Sequence, residues 1–336
     1  MMTLEDFDYH LPEALIAQYP LRRREQARLM VVDRKKKTIV HSRFSNIQAY
    51  LPERSCLVLN DSKVIHARLL GKRVSGGEVE IFLLKKLADG CSYETLLRPL
   101  RRLKAHEQIV LDGGKLVATI ADREKKIVRF NKKNIGRQLE KIGHIPLPPY
   151  IKRPDRAEDR KYYQTVYAKN AGSVASPTAG LHFTPGILKR LRKSGHRIEK
   201  VTLHINYATF KPVEENDITR HRMHAEDYAV APRVFQAIKK AKANGQKIVA
   251  VGTTSCRVLE SIAASGQLKG STDIFIYPGV PFRMVDGLLT NFHLPLSTLL
   301  MLVYAFGTKE LMARAYAEAI KEKYRFFSYG DAMLIL

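Results

Sequence analysis

The stretch EVEIFL at Glu78–Leu83 alternates, with Val79, Ile81 and Leu83 on one side and Glu78, Glu80 and Phe82 on the other. A period of two marks a strand with one buried face. Outward from it stand further short strand-like runs at Tyr93–Leu97, Gln108–Leu111, Lys115–Ile120 and Lys126–Phe130. Turn chemistry divides them: Ser75-Gly76-Gly77, Ala88-Asp89-Gly90 and Asp112-Gly113-Gly114. Several short strands at this spacing predict a small antiparallel β-barrel that begins near Ala67, and the Pro-rich stretch Pro146–Pro149 marks its exit.

The flanks read differently. Arg28–Asp33 and Cys56–Asn60 are strand-like before the barrel. After it, Thr184 is an N-cap with Pro185 in the first helical position, and Gly195 is the stop. Arg197–Leu203 is a strand, Pro232–Asn244 a helix closed by Gly245, Lys247–Val251 a short buried strand, Cys256–Ala264 a helix, and Thr308–Tyr324 a final amphipathic helix. An α/β pattern interrupted by a β-only segment predicts an insertion. The expected architecture is a larger α/β sandwich-type domain, residues 1–66 plus 150–336, with a small antiparallel β-barrel domain, residues 67–149, set into it.

Composition narrows the class. Hydrophobic residues make up 45% of the 336, which is ample for a core. Cys56, Cys91 and Cys256 are far apart and form no CxxC pair, so neither a disulfide framework nor a zinc site is expected, and a reducing cytoplasm fits. MMTLEDFDYH at the start has no signal-like apolar run. The apolar run Leu294–Phe306 is too short to span a bilayer and reads as a buried helix, so no membrane partner is expected. The formal charge of +24 favours a polyanion. It is unevenly spread: residues 67–150 hold 18 Lys and Arg against 9 Asp and Glu, and residues 275–336 hold 6 against 5. Arg98, Arg101, Arg102 and Lys104 form a basic segment suited to RNA phosphates, with a solvated barrel edge as the plain alternative. The runs Arg22–Arg24 and Lys35–Lys37 read as solvated turns, with phosphate contacts the other option.

Chemistry concentrates in polar islands. VASPTAGLHF at Val174–Phe183 puts Pro177, Thr178, Gly180 and His182 in one irregular segment before a helix N-terminus. AVGTTSCR at Ala250–Arg257 is a strand, a turn led by Gly252, then a helix, which aims N–H groups beyond the strand end at Thr253 and Thr254. It lacks the GK[ST] of a P-loop and is not GxGxxG. HRMHAE at His221–Glu226 could be a metal site through His221, His224 and Glu226. No third ligand has zinc-motif spacing, so hydrogen bonding or acid–base work is the better reading and a surface turn the plain one. His204 in TLHINYATFKPV and His293 in TNFHLPLSTLL sit in polar loops, as does His182. Asp331 follows Ser328-Tyr329-Gly330 near the C-terminus, where that end either folds over a site or caps the sheet.

These islands, together with FDYHLP at Phe7–Pro12, NDSKVIHARL at Asn60–Leu69, PLPPYIKR at Pro146–Arg153 and YRFFSYGDAMLIL from Tyr324, closely resemble the S-adenosylmethionine:tRNA ribosyltransferase-isomerase family of queuosine biosynthesis. The resemblance covers nearly the whole chain. It implies the same barrel-in-α/β arrangement. It also implies transfer and isomerisation of the ribosyl part of S-adenosylmethionine onto 7-aminomethyl-7-deazaguanine in tRNA. Epoxyqueuosine-tRNA is the product, and adenine and methionine are released. S-adenosylmethionine is then a co-substrate. No cofactor is bound, no metal is needed, and no obligate protein partner is indicated. Carried over by motif position, the site candidates are Thr178, His182, His204, His221, His224, Glu226, Thr253, Thr254, Asn291, His293 and Asp331, with Gly180 and Gly252 beside them. Asn206-Tyr207-Ala208 departs from the Gly-x-Gly of the family pattern, and its Cβ atoms restrict φ where backbone would approach closely. Two other classes remain: a non-catalytic tRNA-binding or RNA-chaperone protein, and an RNA methyltransferase. The first has no use for the polar islands, and the second lacks its glycine fingerprint.

Overall fold

The structure is a computed structural model and describes residues 2–207, 213 and 215–336. The chain begins with the antiparallel pair β1 (Arg28–Asp33) and β2 (Thr38–Arg43), then β3 (Cys56–Asn60) and the short β4 (Ser62–Val64). Six consecutive strands follow: β5 (Arg68–Arg73), β6 (Glu78–Lys86), β7 (Ser92–Arg98), β8 (Gln108–Leu111), β9 (Leu116–Asp122) and β10 (Ile127–Phe130). They close into a barrel in the order β10-β7-β6-β5-β8-β9. Val79, Ile81 and Leu83 point into its core with Leu69, Ile109, Ala118 and Val128. Closure removes the free strand edges that so short a sheet would otherwise expose.

The exit from the barrel runs through helix α1 (Gly136–Ile142), which precedes the Pro-rich stretch. Then come α2 (Asp159–Tyr162), β11 (Asn170–Ser173), α3 (Pro185–Lys193), β12 (Arg197–Leu203), β13 (Glu226–Ala229), α4 (Pro232–Ala243) and β14 (Ile248–Val251). The chain ends with α5 (Thr253–Ser265), β15 (Lys269–Thr272), β16 (Gly287–Asn291), α6 (Thr298–Gly307), α7 (Lys309–Lys321) and β17 (Ala332–Ile335). Thr184 caps α3 as expected, its Oγ1 accepting the Ile187 N–H at 3.2 Å. Helix α5 starts three residues before the expected Cys256, because Gly252 ends the strand and the next residue is already helical.

Nine strands form one sheet in the order β15-β13-β12-β3-β14-β16-β17-β1-β2. Both faces are covered. Along β3, Cys56 and Val58 join a core under α4, α5, α6 and α7, while Leu57 and Leu59 join one under α3 and the 3-10 helix Phe44–Ala49. This double burial explains why the central strands read as unbroken apolar runs. β12, β3, β14 and β16 are parallel, so their carboxyl ends share one edge.

The run AMLI near the C-terminus is a central strand. β17 lies parallel to β1 and antiparallel to β16. Asp331, just before it, is buried, and its carboxylate accepts the backbone N–H groups of Arg28 and Arg325, each at 2.8 Å, so this end caps the sheet. Asp331→Ala leaves two buried donors unpaired, so a loss of about 2–5 kcal/mol is expected. Asp331→Asn keeps one acceptor and costs less. Denaturant unfolding of both variants measures this; equal stability of Asp331→Ala and the unmodified protein would refute it.

Candidate active site

A cleft of about 240 Å³ opens at the carboxyl ends of the parallel strands, where open α/β sheets bind ligands. β14 runs into Gly252, whose φ of 89° and ψ of 152° suit glycine alone. No side chain caps α5. Its first-turn N–H groups therefore open at Thr253 and Thr254, which line the cleft. β16 delivers Thr290 and Asn291, then His293 and Leu294. The facing wall is Ala175–Pro177 and the start of the 3-10 helix Thr178–His182. Tyr150 and Phe327 close one end, their rings stacked at 4.4 Å and 23°, with a 2.6 Å hydrogen bond between the Tyr150 hydroxyl and Ser328 Oγ.

Among the described residues the lining is mostly apolar and carries no charged side chain. Three buried polar atoms in it have no hydrogen-bond partner: Ser176 Oγ, Thr254 Oγ1 and Asn291 Oδ1. Each such group costs on the order of 1–3 kcal/mol. Three in one cleft are acceptors that a ligand or an ordered water entering it would satisfy. Asn291 is held in place by its other end, since Nδ2 donates to the Phe327 carbonyl at 3.0 Å and lies 3.3 Å from His182 Nε2. His293 Nε2 meets Thr290 Oγ1 at 2.7 Å. Burial pushes both His182 and His293 down to about 3, and for His182 the charges of Arg24 and Arg325 add to the effect. Both imidazoles are neutral at neutral pH. Rings of such low basicity hold hydrogen bonds well and accept protons poorly.

Of the residues expected from sequence, Thr178, Gly252, Thr253, Thr254, Asn291 and His293 meet in this cleft, and His182 backs it. The rest lie elsewhere. A Cβ on Gly180 would fall 2.0 Å from the Tyr167 hydroxyl, so packing is what requires that glycine. His204 lies in a second cavity, of about 450 Å³, between barrel and sheet; its Nδ1 is unpartnered and burial lowers its pKa. Glu226 is buried against the Arg257 guanidinium and accepts the Asn206 N–H at 2.9 Å. His221 bonds Glu215 at 3.1 Å, and His224 is exposed. HRMHAE therefore does not converge on a point, and among the described residues no group of three or more His, Cys, Asp or Glu is placed to hold a metal ion. Arg98, Arg101, Arg102 and Lys104 are exposed on the barrel. In the Asn206–Ala208 departure, Tyr207 packs edge-on against Phe82 of the barrel at 5.0 Å, and Ala208 lies outside the described residues.

Sequence reading missed Ser176, Tyr150, Phe327 and Ser328 as cleft residues. All stand inside the islands quoted above, but nothing local says that two distant aromatic rings stack.

Queuosine biosynthesis proteins match residues 4–335 of this chain. The chain belongs to that family. It is 51% identical to the S-adenosylmethionine:tRNA ribosyltransferase-isomerase of Sulfurihydrogenibium sp. and 48% identical to that of Halothermothrix orenii, with 100% of both chains covered in each case. It is also similar to the crystal structure of the S-adenosylmethionine tRNA ribosyltransferase of Thermotoga maritima, with a TM-score of 0.58 and 38% identity over 98% of this chain and 100% of that one.

In this member of the queuosine family the two buried histidines link stability to pH. Unfolded, each ring titrates near 6.5; folded, near 3. The unfolded chain thus takes up protons first. The stability they support is present above about 6.5 and lost as pH falls toward 3, at about 1.4 kcal/mol per group per pH unit. Denaturant unfolding between pH 7 and pH 5 is expected to show this loss, and a His182→Asn/His293→Gln double variant should lose less over the same range. Parallel curves for the two proteins would show that the rings are not neutral in the fold.

Proposed function

We propose that the chain is an S-adenosylmethionine:tRNA ribosyltransferase-isomerase. It moves the ribosyl part of S-adenosylmethionine onto 7-aminomethyl-7-deazaguanine in tRNA and isomerises it, giving epoxyqueuosine-tRNA with release of adenine and methionine. The observation that carries this reading is the end-to-end relationship to enzymes of that name, 51% identical with both chains fully covered. Within the chain, residues 67–149 act as an inserted barrel domain and residues 1–66 plus 150–336 as the domain that holds the donor.

The cleft supports the reading chemically. A sulfonium donor is a cation. It meets no like charge among the described lining residues, and the imidazole of His293 is neutral. The apolar walls take the purine and ribose. Ser176, Thr254 and Asn291 supply the oxygen atoms that lack partners, and the open turn at Gly252–Thr254 takes an anionic part of the donor. The reaction needs a proton removed from the carbon beside the sulfonium, a neutral amine to attack the sugar, and protonation of the departing adenine. His182 and His293 then position Asn291 and Thr290 rather than carry protons. Arg98, Arg101, Arg102 and Lys104 hold RNA phosphates on the barrel.

The direct test incubates the protein with S-adenosylmethionine and tRNA carrying the aminomethyl base. Adenine, methionine and an epoxide-containing nucleoside are expected. S-adenosylhomocysteine with a methylated base would make the protein a methyltransferase instead, and no product at all would leave only RNA binding. Because the amine attacks in its neutral form, turnover should first rise with pH.

A second prediction concerns the unpartnered hydroxyls. Ser176→Ala and Thr254→Val each remove a buried polar atom that has no partner in the free protein. They should raise thermal stability slightly while weakening donor binding about tenfold. Calorimetry reads both effects. Unchanged donor affinity in both variants would remove these hydroxyls from the donor site.

A further inference from the structure

The run Arg22–Arg24 has no part in the cleft, and the structure brings it beside a second basic segment, Lys152–Lys161. The two meet around a pair of tyrosines. Tyr19 is 47% exposed. The guanidinium carbons of Arg153 and Arg156 lie 4.7 and 4.9 Å from its ring centre. Over the Tyr162 ring stand Arg24 at 5.7 Å and Lys161 at 5.9 Å. Arg24 ties the segments together by donating to the carbonyls of Gln164 and Lys161 at 3.1 and 3.2 Å.

Most of this charge is not neutralised. Arg153 is committed to Asp159 through bonds of 2.7 and 2.8 Å, and Lys152 pairs with Glu13. Arg22, Arg23, Arg24, Arg156, Arg160 and Lys161 have no ion pair among the described residues, against the unpaired carboxylates of Glu25 and Glu158 in the same segments. At the inner edge, Arg325 donates to the Tyr19 carbonyl while its buried Nη1 has no partner.

The face is continuous in two directions. Arg24, Tyr162, His182 and Ser328 line a small cavity, and Ser328 also lines the active-site cleft. On the other side, Arg153 shares a groove with Arg98 of the barrel. A track of cations thus runs from the barrel past Tyr19 to the cleft. Guanidinium groups held over tyrosine rings can meet phosphates with their N–H edges and bases with a free face. An acidic protein surface would use only the first of these.

We propose that this Arg–Tyr face holds the single-stranded loop of the tRNA beside the cleft, with phosphates on Arg22, Arg23, Arg156 and Lys161. The inference rests on the functional reading above for the identity of the RNA. The test is equilibrium binding of labelled tRNA to the full chain across a salt series. In an Arg22→Ser/Arg23→Ser/Arg156→Ser/Lys161→Ser variant, affinity should fall at least about tenfold, and the slope of log affinity against log salt should shrink by about 3, at roughly 0.7–0.9 for each lost phosphate contact. A Lys35→Ser/Lys36→Ser/Lys37→Ser variant, which discharges a solvated turn, should change neither by more than about a third as much. Binding of S-adenosylmethionine by the first variant shows that it is folded. If it is not, Arg23→Ser/Arg156→Ser gives the same readout at about half the slope change. A folded variant that matches the unmodified protein in affinity and slope overturns the proposal, as does an equal loss in the lysine variant. Failure of the unmodified protein to bind tRNA at all would overturn the functional reading itself.

Discussion

The last strand of the chain runs through the middle of its sheet. β17 pairs with β16 on one side and β1 on the other, so the β1–β2 pair joins the sheet only through the final residues. Asp331 locks the head of that strand by binding backbone N–H groups from Arg28, the first residue of β1, and from Arg325 in the turn before β17. Burial raises its pKa on balance, and the two N–H bonds and the arginine charges offset that only in part. β17 is antiparallel to β16, which brings its start to the carboxyl edge. The turn with Phe327 and Ser328 is thereby delivered to the cleft. The shape of the cleft at that end therefore depends on Asp331 holding the backbone of Arg28 and Arg325.

The molecule separates its charges. Among the described residues the cleft lining carries none, and its histidine is held neutral by burial. Cations stand outside, on the barrel at Arg98, Arg101 and Arg102 and on the α/β layer at Arg22, Arg23 and Arg156. A neutral, low-dielectric interior lets a cationic donor enter without repulsion, and an exterior of unpaired guanidinium groups attracts a polyanion from a distance.

The barrel contributes more than charge. Tyr207, which follows the central strand β12, packs on Phe82 of the barrel, and Asn206 bonds Glu226, whose carboxylate is held by Arg257. Breaking the buried Glu226–Arg257 pair would leave a lone charge in the interior, which costs far more than the pair contributes.

Local physics made much of this legible from sequence. Alternation at Val79, Ile81 and Leu83 and the glycine turns specify the barrel strands, because a period of two and a positive-φ turn are local properties. Thr184, Pro185 and Pro232 mark helix starts for the same reason. The family islands named the region of the cleft. Tertiary structure decided the rest. Four-residue apolar runs such as AMLI at Ala332–Ile335 look alike as strand or helix, and only pairing with β1 and β16 settles which. The histidines carry no local sign of their low pKa, since burial sets it. Whether Asp331 meets solvent or two backbone donors, and whether the Ser176 and Thr254 hydroxyls find partners, depends on atoms far away in the chain. Sequence alone determined the barrel strands, the capped helix starts and where the polar chemistry is concentrated; the fold alone decided which of those polar groups are left unpaired around one cleft, because hydrogen-bond satisfaction and desolvation are properties of packing.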